Sequence, residues 1–157
     1  MDIEIWSIGK ENEPFIEAGV QYYFKKTRPY NPVQLVTLQL PKKAATTDVE
    51  LTKQREEELI LKKIQSHHYL VLLDERGKQL TSPQWAKQFQ QCMNNGVKTM
   101  VILIGGAYGV SEKIQNEAKQ VWSLSQLVFP HQLVRLIVAE QVYRAFSILH
   151  NSPYHHS

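Results

Sequence analysis

Three stretches of this 157-residue chain combine residue types that could hold a ligand and move a proton: Leu73-Asp74, Gly105-Gly106 and Phe129-Pro130-His131. Each closes a β-like run, and open parallel sheets bind their ligands beyond the carboxyl ends of the strands. A diglycine lets the backbone approach a ligand closely and leaves amide N–H groups free to donate. The spacing Gly105, Gly106, Gly109 is not GxGxxG, and no Gly-Lys-Ser/Thr follows to make a P-loop. Alone, the pair reads first as a strand-to-helix turn. His131 follows a proline at the mouth of the last helix, where an imidazole can face a cleft, although by itself such a histidine reads as structural or solvated. Arg135, one turn further on, could point at a phosphate or a carboxylate. Glu140 and Arg144 stand i,i+4, an ordinary helix pair worth ~0.2–0.5 kcal/mol if exposed.

Residue types exclude several other chemistries. The single cysteine, Cys92, leaves no intramolecular disulfide framework and no multi-cysteine metal site, and beside Met93 it reads as a small packing residue. His67-His68 and His155-His156 are adjacent pairs with no Asp or Glu completing a helical ligand spacing, so no metal is expected. There is no Gly-x-Ser-x-Gly nucleophile elbow. Lys25-Lys26-x-Arg28 with Tyr30 could track phosphates, but reads first as a solvated face. A net charge of +3 is too small to announce nucleic acid and does not repel a phosphate backbone.

The elements that must position these residues alternate β-like and helical. Strands are expected over Ile3 to Ile8, Val33 to Leu40, Tyr69 to Leu73, Met100 to Ile104 and Leu127 to Phe129. Asp74-Glu75-Arg76-Gly77 reads as a turn. Helices are expected from Pro14, after an Asp48 cap, from a Ser82-Pro83 start to Asn94-Asn95-Gly96, after a Ser111 cap, and over Gln132 to Leu149. No repeat or linker divides the chain. The fold class is α/β, one domain over residues 1–157, a mostly parallel sheet with helices on both faces. The 43% hydrophobic and 21% charged content excludes wholesale disorder. Apolar runs fall far short of a membrane span. The acidic Met1-Asp2-Ile3-Glu4 start is unlike a signal peptide, so a cytoplasmic location is expected.

The last third carries a more specific pattern. Leu103-Ile104-Gly105-Gly106-x-x-Gly109, Trp122-Ser123-Leu124-Ser125, Phe129-Pro130-His131-Gln132-Leu133-Val134-Arg135, Glu140-Gln141-x-Tyr143-Arg144-Ala145 and Pro153-Tyr154-His155 follow in this order. With Leu73-Asp74-x-x-Gly77-Lys78, Ser82 and the Gly9-Lys10 turn, the whole chain closely resembles the ribosomal RNA large subunit methyltransferase H family, small SPOUT-class methyltransferases. The resemblance implies a homodimer that uses S-adenosylmethionine, without a metal, to methylate N3 of a pseudouridine in 23S ribosomal RNA. The substrate is expected to be the assembled ribosome or its large subunit. It also implies a deep trefoil knot in the C-terminal part.

Carried over residue by residue, Leu73, Gly105, Leu124, Ser125, Gln126, Leu127, Val128 and Phe129 match the family's cofactor-binding positions. His131, Arg135, Tyr154 and His155 match positions near the methyl acceptor, with Tyr154 and His155 expected from the partner subunit. The residue after Tyr-His is commonly Arg or Lys in the family and is His156 here, which would hold an anion less firmly. The base that removes the N3 proton is open between His131, His155 and water. A non-catalytic RNA-binding domain and a nucleotide-binding regulatory domain are the other two readings, and the sequence has no RRM or KH signature for the first.

Overall fold

The computed structural model describes residues 1–156; Ser157 lies outside the described residues. Five parallel strands, β1 (Asp2–Ile8), β2 (Val33–Leu38), β3 (His68–Gln79), β4 (Thr99–Ile104) and β5 (Gln120–Ser123), form one sheet in the order β2-β1-β4-β3-β5. The helices between and after them are α1 (Pro14–Thr27), α2 (Val49–Lys63), α3 (Ser82–Asn94), α4 (Glu112–Glu117) and α5 (His131–Leu149).

β4 lies at the centre of the sheet, and all six of its residues are buried, which is why Thr99-Met100-Val101-Ile102-Leu103-Ile104 is almost continuously apolar. Its alternate side chains serve two cores. Met100, Ile102 and Ile104 pack with Ile16 and Phe24 of α1, Trp85 and Phe89 of α3, and Val142 and Phe146 of α5. Val101 and Leu103 pack on the opposite face with Ile60 of α2 and Ile114 of α4. The connections through α1 and α3 cross the sheet in one direction, and those through α2 and α4 cross in the other. Placing the two pairs on opposite faces keeps one hand throughout, as parallel crossovers require.

Helix starts follow local chemistry. Asp48 accepts from the Leu51 amide at 2.8 Å to cap α2, and Ser111 accepts from Ile114 to cap α4. At α3 the cap is Thr81, one residue before the expected Ser82, because Gln84 completes a capping box: its side chain accepts from the Thr81 amide at 2.8 Å.

Two further expectations are overturned. Asp74-Glu75-Arg76-Gly77 is not a turn that ends β3. The strand runs on to Gln79, and Leu73 and Lys78 both lie opposite Trp122 of β5, so residues 74–77 bulge between them. A Cβ on Gly77 would meet the Val121 carbonyl oxygen at 2.7 Å, which is why this crossing needs glycine. Nor is Leu127 to Phe129 a strand. The fifth strand is Gln120–Ser123, and Leu127 and Val128 are 70% and 83% exposed in the loop after it.

Candidate active site

A cavity of about 590 Å³ opens at the carboxyl ends of β3, β4 and β5, within the size range of small-molecule sites. Most of its wall comes from the three stretches the sequence singled out and the residues beside them, with Lys53 of α2 and Gln115 of α4 added. β3 contributes Leu73 and the bulge residues Asp74, Glu75 and Arg76; the β4–α4 loop contributes Gly105 to Val110. The β5–α5 loop contributes Leu124, Ser125, Leu127, Val128 and Phe129, and α5 contributes His131 and Val134. Gln126 belongs to the same loop but does not line the cavity.

Hydrogen bonds hold these loops in place. Gly109 donates its amide to the Gly106 carbonyl at 3.0 Å, closing the glycine turn. Ser123 Oγ donates to the Ser125 carbonyl at 3.1 Å, and Ser125 Oγ accepts from the Leu127 amide at 3.0 Å, so the β5–α5 loop is folded back on itself. Arg76 donates through Nε and Nη2 to the two Asp74 carboxylate oxygens, both at 2.9 Å, and this guanidinium holds the Asp74 carboxyl below its usual range.

The site suits an adenosine-sized ligand with one apolar face. Leu73, Leu124, Leu127, Val128 and Phe129 offer apolar wall, while the Gly105-Gly106 backbone offers amide donors and carbonyl acceptors free of side chains. Gly106 owes its identity to a neighbour. A methyl added there would stand on the carboxylate oxygens of Glu56 from α2, with Cδ at 2.9 Å.

His131, the first residue of α5, is half-buried at the cavity wall. Burial, aided by the Arg135 charge, lowers its pKa below the ordinary imidazole value. The imidazole is therefore neutral at pH 7 and able to accept a proton. The sign follows by linkage: the unfolded chain binds this proton more tightly, so stability falls as the pH drops below the unfolded value of about 6.5. His68 is shifted the same way. Thermal unfolding between about pH 5 and pH 8 should show a melting temperature that declines on the acid side, with a shallower decline in His131→Asn.

Arg135 is not brought to the cavity wall. Its side chain is 1% exposed and donates to Ser7 Oγ at 2.7 Å, the Lys10 carbonyl at 2.7 Å and Asn12 Oδ1 at 2.9 Å. It thus pins the β1–α1 loop to α5, rather than pointing at a phosphate.

Tyr154 and His155 also lie away from the cavity of their own chain. The Tyr154 hydroxyl donates to Glu140 Oε1 at 3.0 Å, and Arg144 Nη1 lies 3.2 Å from His155 Nδ1. Arg144 pairs with the same Glu140 oxygen at 2.5 Å, and the Tyr154 ring packs against Tyr143 with centroids 4.6 Å apart. Burial and the Glu140 bond push the Tyr154 hydroxyl well above its ordinary pKa, so it serves as a donor and not as a base. The i,i+4 pair Glu140–Arg144 is therefore more than a surface helix pair: it is the anchor of the tail. Nothing in its spacing distinguishes the two roles. Among the described residues no cluster of three or more His, Cys, Asp or Glu could hold a metal ion, and no helix is long and apolar enough to cross a membrane.

Comparison with known proteins bears directly on this arrangement. The family model described as "Predicted SPOUT methyltransferase" matches residues 1–155. The chain is 41% identical over 157 residues, the full length of both, to the ribosomal RNA large subunit methyltransferase H of Geobacter metallireducens. It is 40% identical over 156 residues to the protein of that name in Christiangramia forsetii, and 36% identical over 158 residues to the one in Halothermothrix orenii, in each case over 99% of both chains. The chain belongs to the SPOUT methyltransferases and, within them, to the ribosomal RNA large subunit methyltransferase H family.

Proposed function

We propose that the protein transfers a methyl group from S-adenosylmethionine to N3 of a pseudouridine in 23S ribosomal RNA, acting in the cytoplasm as a one-domain subunit of a homodimer. One observation carries the reading: a ligand-sized cavity opens at three parallel strand ends, in a chain that the family model matches over residues 1–155. When bound, S-adenosylmethionine supplies a methyl group on a sulfonium, open to in-line displacement by a ring nitrogen.

The chain's own residues then do four things. Leu73, Leu124 and Phe129 would hold the adenosine, with the Gly105-Gly106 backbone free to hydrogen-bond its polar groups. Arg135 keeps the neighbouring β1–α1 loop fixed. His131, held neutral beside the cavity, would accept the N3 proton directly or through water as the methyl group passes to N3. Tyr154 and His155 orient the acceptor base.

The last role requires a second subunit. Glu140 and Arg144, which anchor Tyr154 and His155, lie up to thirteen residues beyond His131 on α5, a rise of up to about 20 Å. A tail tied there does not serve its own cavity, but a two-fold partner can bring one to it. Phe15 at 65% exposure, Tyr22 at 56% and Leu133 at 37% are apolar side chains left exposed on the paired helices α1 and α5, for such a partner to cover.

Calorimetry with S-adenosylmethionine and S-adenosylhomocysteine tests the cofactor assignment. Saturable binding of both, one per subunit, is expected. A protein that binds neither is no methyltransferase of this kind.

A further inference from the structure

Among the described residues, Glu56 is the one buried carboxylate, and the proposed reaction leaves it unused. It sits on α2 in the run Arg55-Glu56-Glu57-Glu58, where its neighbours are engaged: Arg55 donates to the Ala44 carbonyl, and Glu57 accepts from Ser111 Oγ at 2.6 Å. Glu56 itself is 6% exposed and, among the described residues, has neither a hydrogen-bond nor an ion-pair partner. Glu56 does not itself line the cavity: its carboxylate rests against Gly106, which does, as does Lys53, one turn earlier on the same helix. The group is not sealed: no fully enclosed side-chain oxygen or nitrogen lacks a partner among the described residues, so these oxygens keep a narrow opening. A largely buried carboxylate without a cation is costly, and burial raises its pKa accordingly. A ligand that brings a positive charge to the cavity lowers that cost by attraction across the glycine turn.

Resting on the reading of this cavity as the S-adenosylmethionine site, we propose that Glu56 is the counter-charge to the donor's sulfonium and sets the preference for the charged donor over its neutral product. Methyl transfer converts the sulfonium to an uncharged thioether, which cancels the attraction to Glu56. The spent cofactor is then held less tightly than the fresh one, which favours exchange after each turnover. Gly106 is required by the same arrangement, since any side chain there displaces the carboxylate.

Calorimetry on the intact protein with three ligands tests this: S-adenosylmethionine, S-adenosylhomocysteine, and sinefungin, which carries an ammonium in place of the sulfonium. Wild type should bind both cationic ligands more tightly than the neutral one. Glu56→Gln, isosteric and uncharged, should weaken the two cations by about tenfold, the scale of a unit charge felt across several ångströms of protein, and leave the neutral ligand within about twofold. Glu56→Asp should keep most of the preference. Equal losses for all three ligands, or no loss, would overturn the assignment. A wild-type protein that holds S-adenosylhomocysteine as tightly as S-adenosylmethionine would overturn it too, whether or not Glu56→Gln folds. Failure of wild type to bind any of the three would instead overturn the cofactor reading itself.

Discussion

Deleting Pro153 to Ser157 is expected to lower methyl transfer by at least ~10²-fold, the scale of losing a group that aligns the acceptor, while S-adenosylmethionine affinity stays near wild type. The tail lies outside the cavity of its own chain, so its loss leaves the cofactor walls intact. Tyr154 and His155 are held by Glu140 and Arg144, which fixes an aromatic ring and an imidazole in one orientation instead of leaving a frayed end. Analytical ultracentrifugation of the truncated protein should still show a dimer. Wild-type turnover from it would reduce the tail to packing.

Gly106→Val is expected to abolish measurable cofactor binding, a weakening of about 10²-fold or more, the scale of a bulky group forced into a fitted site. The branched side chain expels the Glu56 carboxylate from its place against the glycine turn and distorts the turn that lines the cavity. The fold should survive with a loss of about 1–3 kcal/mol, the usual size of an overpacking strain, because the displaced group is the end of a flexible side chain. Mixing this variant with the tail deletion then separates two geometries. If each site joins one subunit's cavity to the partner's tail, heterodimers regain one complete site and activity returns. If each site uses its own tail, every site lacks one part and the mixture stays inactive.

Much of this was legible in the residues. Met100 to Ile104 announces a central strand because both faces of β4 are covered. Pro14, Asp48 and Ser111 announce helix starts because capping is a local matter. The two strand errors share a cause. Polar Asp74 to Gly77 carries turn chemistry, yet pairing with β5 resumes at Lys78 and makes it a bulge within β3; apolar Leu127 to Phe129 carries strand chemistry, yet it lies in a loop that walls a cavity, with Leu127 and Val128 exposed.

Site residues divided similarly. Gly105 and His131 could be located from strand ends and a helix start. Arg135 could not be told from a ligand-facing cation, since only the fold shows Ser7, Lys10 and Asn12 converging on it from 123 or more residues away. Glu56 stands in a run of charged residues, Arg55 to Glu58, in which nothing marks it out. Only the packing of α2 against the glycine turn distinguishes it.

Methyl transfer itself is the decisive measurement. Purified protein would be incubated with tritium-labelled S-adenosylmethionine and large ribosomal subunits from cells lacking this activity, in parallel with a short naked stem-loop. A +3 charge gives only sequence-blind attraction, so label should enter 23S ribosomal RNA in the subunits, at N3 of one pseudouridine by mass spectrometry, and hardly at all in the stem-loop. Cofactor bound without label reaching the RNA, or label on any other base, would contradict it.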